Sequence, residues 1–109
     1  MAAILYRETA LLNGNTGLVR DLWVGNVPTT PGGIIPVTCF ATVDGTFGAG
    51  GTIVLEFSDD GTNFTTFLTV TAALALRSLN PTVTHRFWRA RVTAGDGTTS
   101  LNVSFLGAS

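Results

Sequence analysis

An all-β fold, an antiparallel β-sandwich with a jelly-roll or immunoglobulin-like layout, is what this sequence predicts. Three observations lead there. Apolar and polar residues alternate in short runs along most of the chain, the period-two signature of strands half-buried against a core. The runs are separated by Asn-Gly, Asp-Gly and Gly-Gly dipeptides, which mark tight turns. Composition agrees, because 18 threonines and 13 glycines among 109 residues favour strands joined by close turns. A chain of this length is expected to form one domain, residues 1–109, with a core that needs neither metal nor disulfide.

The elements follow in order. Residues 3–12 form a first strand with Ile4, Tyr6, Ala10 and Leu12 on one face and Glu8 as the exception. Asn13-Gly14-Asn15 is a turn. Residues 18–24 place Leu18, Leu22 and Val24 on one face, interrupted by Arg20, with Val19 and Trp23 on the other. Apolar groups on both faces mean burial on both sides or a share in an interface. Pro28-Thr-Thr-Pro-Gly-Gly33 lacks two backbone donors and reads as an exposed connection, either a surface loop or an arm to a neighbour. Residues 35–43 turn Val37, Cys39, Ala41 and Val43 inward. Asp44–Gly51 is a glycine-rich loop with Phe47 at its tip, a ring that either caps the core or inserts into a partner.

Residues 52–58 share Ile53, Leu55 and Phe57 on one face, and Asp59-Asp60-Gly61 turns the chain. Residues 63–70 return with Phe64, Leu68 and Val70 on one side and Phe67 on the other. Residues 71–79 admit a helical turn or an extended edge, and irregular extended structure is the preferred reading. Asn80-Pro81 turns again. A terminal hairpin is expected from 82–93 to 100–106, with Trp88, Ala90 and Val92 matched to Leu101, Val103 and Phe105 across Gly95-Asp-Gly97. Asp-Gly-Thr recurs at 44–46, 60–62 and 96–98 at unequal spacing, one turn solution used three times rather than a structural repeat. The expected core is Val37, Cys39, Ala41, Ile53, Leu55, Phe57, Leu68, Val70, Trp88, Ala90, Val92, Leu101 and Val103.

Charge and motif content narrow function by exclusion. The charged fraction is 12%, the net charge is −1 and all six cations are arginine, which argues against a nucleic-acid or anionic-membrane partner. So sparse a charge suits a surface covered by other copies or by a partner; Thr, Ser and Asn supplying the polarity is the other reading. Cys39 is the single cysteine and reads as a buried core thiol. No basic start followed by a long apolar run suggests a signal peptide, and no stretch approaches the roughly 20 apolar residues of a membrane helix. The protein is expected to be made in a cytoplasm and to stay soluble until it assembles.

No catalytic constellation emerges. His85 is the single histidine, either a hydrogen-bonded rim residue or a member of a ring of symmetry-related histidines. Asp59 and Asp60 lack the pattern of a calcium loop. Ser58, Ser78, Ser100 and Ser104 have only His85 for a base, and neither a nucleophile elbow nor a phosphate loop is present. The expectation is therefore no enzymatic activity, no cofactor and no metal. Arg86, Arg89 and Arg91, beside Phe87, form the local basic concentration. They either pair with acids, notably Asp96 and Glu56, at a protein interface, or bind a phosphate, a glycan or single-stranded nucleic acid.

Gly51-Thr-Ile-Val-Leu-Glu-Phe-Ser-Asp-Asp-Gly-Thr-Asn-Phe64, followed by Arg86-Phe-Trp-Arg-Ala-Arg-Val-Thr-Ala-Gly-Asp-Gly-Thr-Thr-Ser-Leu-Asn-Val-Ser-Phe105, resembles small bacteriophage virion proteins. In that group a Ser-x-Asp-Gly-x-Asn-aromatic hairpin precedes an arginine-rich strand and a terminal Gly-Asp-Gly hairpin. The match is to the capsid decoration, or cement, proteins of tailed phages and to some tail-associated sandwiches, over residues 50–106. The same hairpin occurs in carbohydrate-binding and discoidin-like sandwiches. The resemblance implies a structural virion protein on the capsid surface, synthesised in the host cytoplasm. Its partners would be the major capsid protein and copies of itself, a homotrimer being favoured, with no nucleic acid and no membrane. Leu5, Tyr6, Arg7, Trp23, Phe47, Phe87, Arg89 and Arg91 are the expected interface residues, and residues 1–12 an assembly strand or arm. Removing residues 1–12, or charging Phe47, is expected to weaken assembly and leave the fold intact. The alternatives are a carbohydrate-binding module presenting Tyr6, Trp23, Phe64 and Phe87, or a tail or baseplate component.

Overall fold

The computed structural model describes residues 3–22, 38–79 and 87–108. They form β1 (Ala3–Leu12), β2 (Arg20–Asp21), β3 (Thr38–Thr46), β4 (Thr52–Ser58), β5 (Thr65–Val70), β6 (Leu74–Ser78), β7 (Phe87–Ala94) and β8 (Ser100–Ala108). Sheet I has the order β1-β8-β3-β6 and sheet II the order β2-β7-β4-β5. Both are antiparallel, and their inner faces share one core. The antiparallel sandwich expected from the alternation is the fold observed.

The pairing selects the jelly-roll layout. β1 pairs with β8, β2 with β7, β3 with β6 and β4 with β5, four nested pairs that describe one long ribbon wound across two sheets. Among the described strands only β4 and β5 are consecutive within one sheet, and every other consecutive pair is split between the two. The expected terminal hairpin is therefore corrected: β7 lies in sheet II and β8 in sheet I. Their apolar sets face each other across the core instead of lying side by side. Alternation cannot separate these cases, because a hairpin partner and a strand across the sandwich need the same inward residues.

Asp44-Gly-Thr46 is corrected too. It is no turn but the end of β3, opposite Asn102, Leu101 and Ser100. Gly45 is required there because its φ is +109° and a Cβ would overlap the Ser100 carbonyl oxygen. Residues 74–78 form an edge strand, the extended-edge alternative, whose register with β3 shifts between Ala41 and Val43.

Two bulges reset which side chains face inward. Pairing of β1 with β8 shifts between Glu8 and Leu11, where Ala10 has φ +56°. Beyond the bulge Leu11 is buried and Leu12 is 51% exposed, so Ala10 and Leu12 do not continue the inner face begun by Tyr6. In sheet II, Leu55 opposes Leu68 but Glu56 opposes Thr66, so Phe67 is the extra residue. Phe67 thereby packs edge-on against Trp88 at 5.3 Å, and Phe64 lies under the Arg89 guanidinium instead of sharing the core face with Leu68 and Val70.

Trp88 is fully buried at the centre, with Phe57 at 5.6 Å in its own sheet and Phe105 at 6.4 Å from the sheet opposite. Cys39, Ala41, Ile53, Leu55, Val70, Ala90, Val92, Leu101 and Val103 are buried as expected. Phe57 and Leu68 are half-buried and pack against that core, and Val37 lies outside the described residues. Leu11, Leu22, Val43, Leu79 and Phe105 complete it among the described residues. Replacing Trp88 by Ala removes the ring that joins the sheets and is expected to cost about 3–5 kcal/mol. A urea unfolding curve with an unchanged midpoint would contradict this placement.

Candidate functional site

The outer face of sheet II carries the arginines. Register sets Glu56 of β4 directly opposite Arg89 of β7, and Val54 opposite Arg91. Glu56 accepts hydrogen bonds from Arg89 Nε at 2.9 Å and from Arg91 Nη2 at 3.0 Å. The Arg89 guanidinium also sits over Phe64, 4.0 Å from the ring centroid. Glu56 is consequently buried although it points away from the core, while the two arginine side chains keep 27% and 42% of their surface exposed. Burial would raise the Glu56 carboxyl, but the hydrogen bonds and charges of Arg91 and Arg89 outweigh it and hold the group below its ordinary 4.5. Two cations on one carboxylate leave one positive charge over.

The expected partnership with Glu56 is therefore present for Arg89 and Arg91, and among the described residues no arginine pairs with Asp96. Asp96 sits in the β7–β8 connection. It accepts hydrogen bonds from Ala49 N–H (2.8 Å), Thr98 N–H (2.8 Å) and Thr98 Oγ1 (2.6 Å). Thr99 Oγ1 donates to the Phe47 carbonyl at 2.7 Å. One inter-sheet connection thus staples the other, and Phe47 packs half-buried against the core, the capping alternative. Gly51 is buried beneath this loop, where a Cβ would overlap the Phe47 carbonyl oxygen. The bonds from Thr98 and Ala49 lower the Asp96 carboxyl to about 2. A shallow depression of about 350 Å³ beside the staple is lined by Leu12, Asn13, Asp96, Gly97 and Thr99. Its charged member, Asp96, is already saturated by the loop.

Asp60 closes the β4–β5 turn in the same manner. Its carboxylate accepts from the N–H groups of Asn63 and Thr62, from Ser58 Oγ and from Asn63 Nδ2, and these bonds lower its pKa. Ser58 Oγ accepts from Asp60 and Gly61 N–H as well, so this serine is engaged in the turn. Among the described residues no three or more His, Cys, Asp or Glu side chains are grouped to hold a metal ion.

The outer face of sheet I is of a different kind. Leu5, Leu106 and Phe40 are direct cross-strand partners and form an apolar row over β1, β8 and β3, with Leu5 63% exposed. A polar ladder borders it. Arg7 donates to Ser104 Oγ at 2.9 Å and lies 3.6 Å from Asp44, and Asn102 links Asp44 to the bulged Ala10 N–H. The sequence signal for Phe40 was the alternation with Cys39 and Ala41, and the one for Leu106 was its place after inward Phe105.

Tyr6 does not share a face with its neighbours Leu5 and Arg7. It packs against the core, with the Arg20 guanidinium 4.9 Å from its ring centroid. Arg20 also meets Glu8 at 3.5 Å, and Glu8 accepts from the Leu18 N–H. The two residues that break the apolar pattern of separate strands therefore face each other between the sheets as an ion pair, with the buried Arg20 Nε held by charge alone and without a hydrogen-bond partner. Of the expected interface residues, Phe87, Arg89 and Arg91 fall together on sheet II and Leu5 and Arg7 on sheet I. Tyr6 and Phe47 are half-buried and pack against the core, and Trp23, like Arg86 and His85, lies outside the described residues.

No protein-family model, curated protein or solved structure matches the chain. The two outer faces are therefore read from their own chemistry.

Glu56, Asp60 and Asp96 all have carboxyls depressed in the folded state. Stability from them is present above their unfolded values and is lost as pH falls through the folded ones. The melting temperature is expected to be flat from pH 7 to about 5 and to drop toward pH 2. Glu56→Gln is expected to cost about 1–2 kcal/mol at pH 7, the exposed arginine ends limiting the loss. Its deficit should shrink on acidification, as wild-type Glu56 gains its proton. A constant deficit down to pH 2 would contradict the ion-pair account.

Proposed function

We propose that this chain is a structural virion protein, a capsid decoration protein that stabilises a phage head by binding across adjoining capsomers. The observation that carries this reading is a division of labour over the molecule. The carboxylates Glu56, Asp60 and Asp96 are each engaged inside the fold, while the outer face of sheet I leaves an apolar row open. Such a molecule acts by contact rather than by chemistry. Burying complementary surface on neighbouring subunits raises the free energy of separating them. The low charge of the chain and the resemblance over residues 50–106 support the same reading. A jelly-roll layout is shared by capsid and lectin domains, so the fold alone does not choose between them.

The carbohydrate alternative draws less support. Sugar platforms need exposed planar rings, and every described aromatic side chain is buried or half-buried. Phe64 in particular is covered by Arg89.

Virions purified from the source are expected to carry the protein on the head, by immunogold labelling with antibody to the recombinant chain. Heads lacking it are expected to release DNA at lower temperature. Label confined to the tail would reassign the protein to the tail, and its absence from particles would overturn the reading. Deleting residues 1–12 is a poor variant for this purpose, because β1 contributes Leu11 and Tyr6 to the packing. Charging Phe47 is equally unsuitable, since that ring packs against the core. Leu5→Arg changes an exposed position and keeps the fold.

A further inference from the structure

β1 is an edge strand whose two halves are finished differently. From Glu8 onward it carries an inward carboxylate and the bulge at Ala10, two devices that keep an edge from recruiting another strand. From Ala3 to Arg7 its register with β8 is unbroken. The far side of that segment has no strand partner among the described residues, so its alternate backbone N–H and C=O groups face no described strand. The same segment carries exposed Leu5 at the end of the row formed with Leu106 and Phe40.

We propose that the open half of β1 pairs antiparallel with β1 of a second copy about a two-fold axis at Leu5, joining the two sheets I into one continuous sheet. This goes beyond the capsid reading and does not rest on it. The self-complementarity of the segment points to a second copy as the occupant, and the charge pattern chooses the register. Antiparallel strands oppose residues of the same face, so the axis falls on a residue; Leu5 is the middle of Ala3–Arg7 and opposes that whole segment to itself, whereas an axis at Ile4 opposes residues 3–5 alone. An axis at Arg7 sets one guanidinium against the other. An axis at Tyr6 sets Leu5 against Arg7 of the partner subunit, an apolar side chain against a cation. At Leu5, leucine meets leucine, and the Phe40–Leu106–Leu5 row runs on into the second copy. Each Arg7 then stays off the axis, beside its own Asp44 at 3.6 Å. The strand is thus complementary to itself, as an isologous interface requires. The bulge at Ala10 limits the pairing to this short segment.

The test uses the full chain and a cysteine cross-link. Residues directly opposed across an antiparallel pair have Cα atoms about 4.5–5.5 Å apart, within the range that a disulfide spans. Cys39 is buried and does not compete. Under mild oxidation Leu5→Cys is expected to form a covalent dimer and Arg7→Cys is not. Light scattering of the wild type over a concentration series is expected to move from monomer to dimer. Leu5→Arg is expected to abolish the dimer with an unchanged circular dichroism spectrum. A monomer at every concentration, a closed trimer, or cross-linking of Arg7→Cys as readily as Leu5→Cys would overturn the proposal. None of these readouts needs a virus particle, so their failure is distinct from failure of the capsid reading.

Discussion

β7 is the strand on which the rest of the sandwich depends, because every one of its surfaces is in use. Its inner face gives Trp88, Ala90 and Val92, all buried. One edge pairs with β4, and the other takes the chain as it leaves β1. Gly14 N–H donates to the Val92 carbonyl, Val92 N–H to the Asn15 carbonyl and Gly17 N–H to the Ala90 carbonyl, before β2 adds its short pairing with Phe87 and Trp88. Its outer face supplies the two arginines that cover Glu56. A strand so placed sets the spacing between the sheets through its tryptophan and the polarity of the outer surface through its arginines.

Polar side chains among the described residues hold the connections of the fold. A jelly roll carries the chain between its sheets many times, and each passage leaves backbone donors to satisfy. Asp96 and Thr99 do this for two passages at once, fixing residues 47–51 from the β7–β8 connection. Asp60 does it for the in-sheet turn. Glu8 does it where β1 and the segment leading to β2 face each other, by accepting from the Leu18 N–H. A low charge count is thereby compatible with a well-determined fold, since Asp60 and Asp96 each bond to several donors.

The legible part of the fold was what period-two alternation encodes: strand positions, most of the inward residues and the β4–β5 hairpin. Three kinds of information were not in that pattern. Which strands pair is invisible when partners across the core and partners beside one another carry the same alternation, so β7 and β8 read as a hairpin. Bulges change the face without changing composition, so Leu12 read as inward and Leu11 was missed. A long-range ion pair can be suspected from its two odd residues, but Glu8 and Arg20 were met separately and each looked like an exception. Of the outer faces, the cluster on sheet II was legible from Phe87, Arg89, Arg91 and Glu56. The row on sheet I was seen only at Leu5, because its other members lie on β3 and β8, strands not recognised as neighbours.

The nesting of the ribbon also has a kinetic meaning. The β4–β5 pair closes the shortest loop, β3 with β6 encloses it, β2 with β7 encloses both, and β1 with β8 encloses everything. Loop-closure entropy grows with the length enclosed, so each pair formed shortens the effective loop for the next. A chain held mostly by such distant contacts folds slowly for its size, from the inside of the ribbon outward. By this loop-closure argument β1 is the last strand to be laid down, and until it arrives β8 is itself a bare edge. A second molecule's β1 can fill that place as well as the chain's own, which makes exchange of the first strand between copies the characteristic misassembly of this topology.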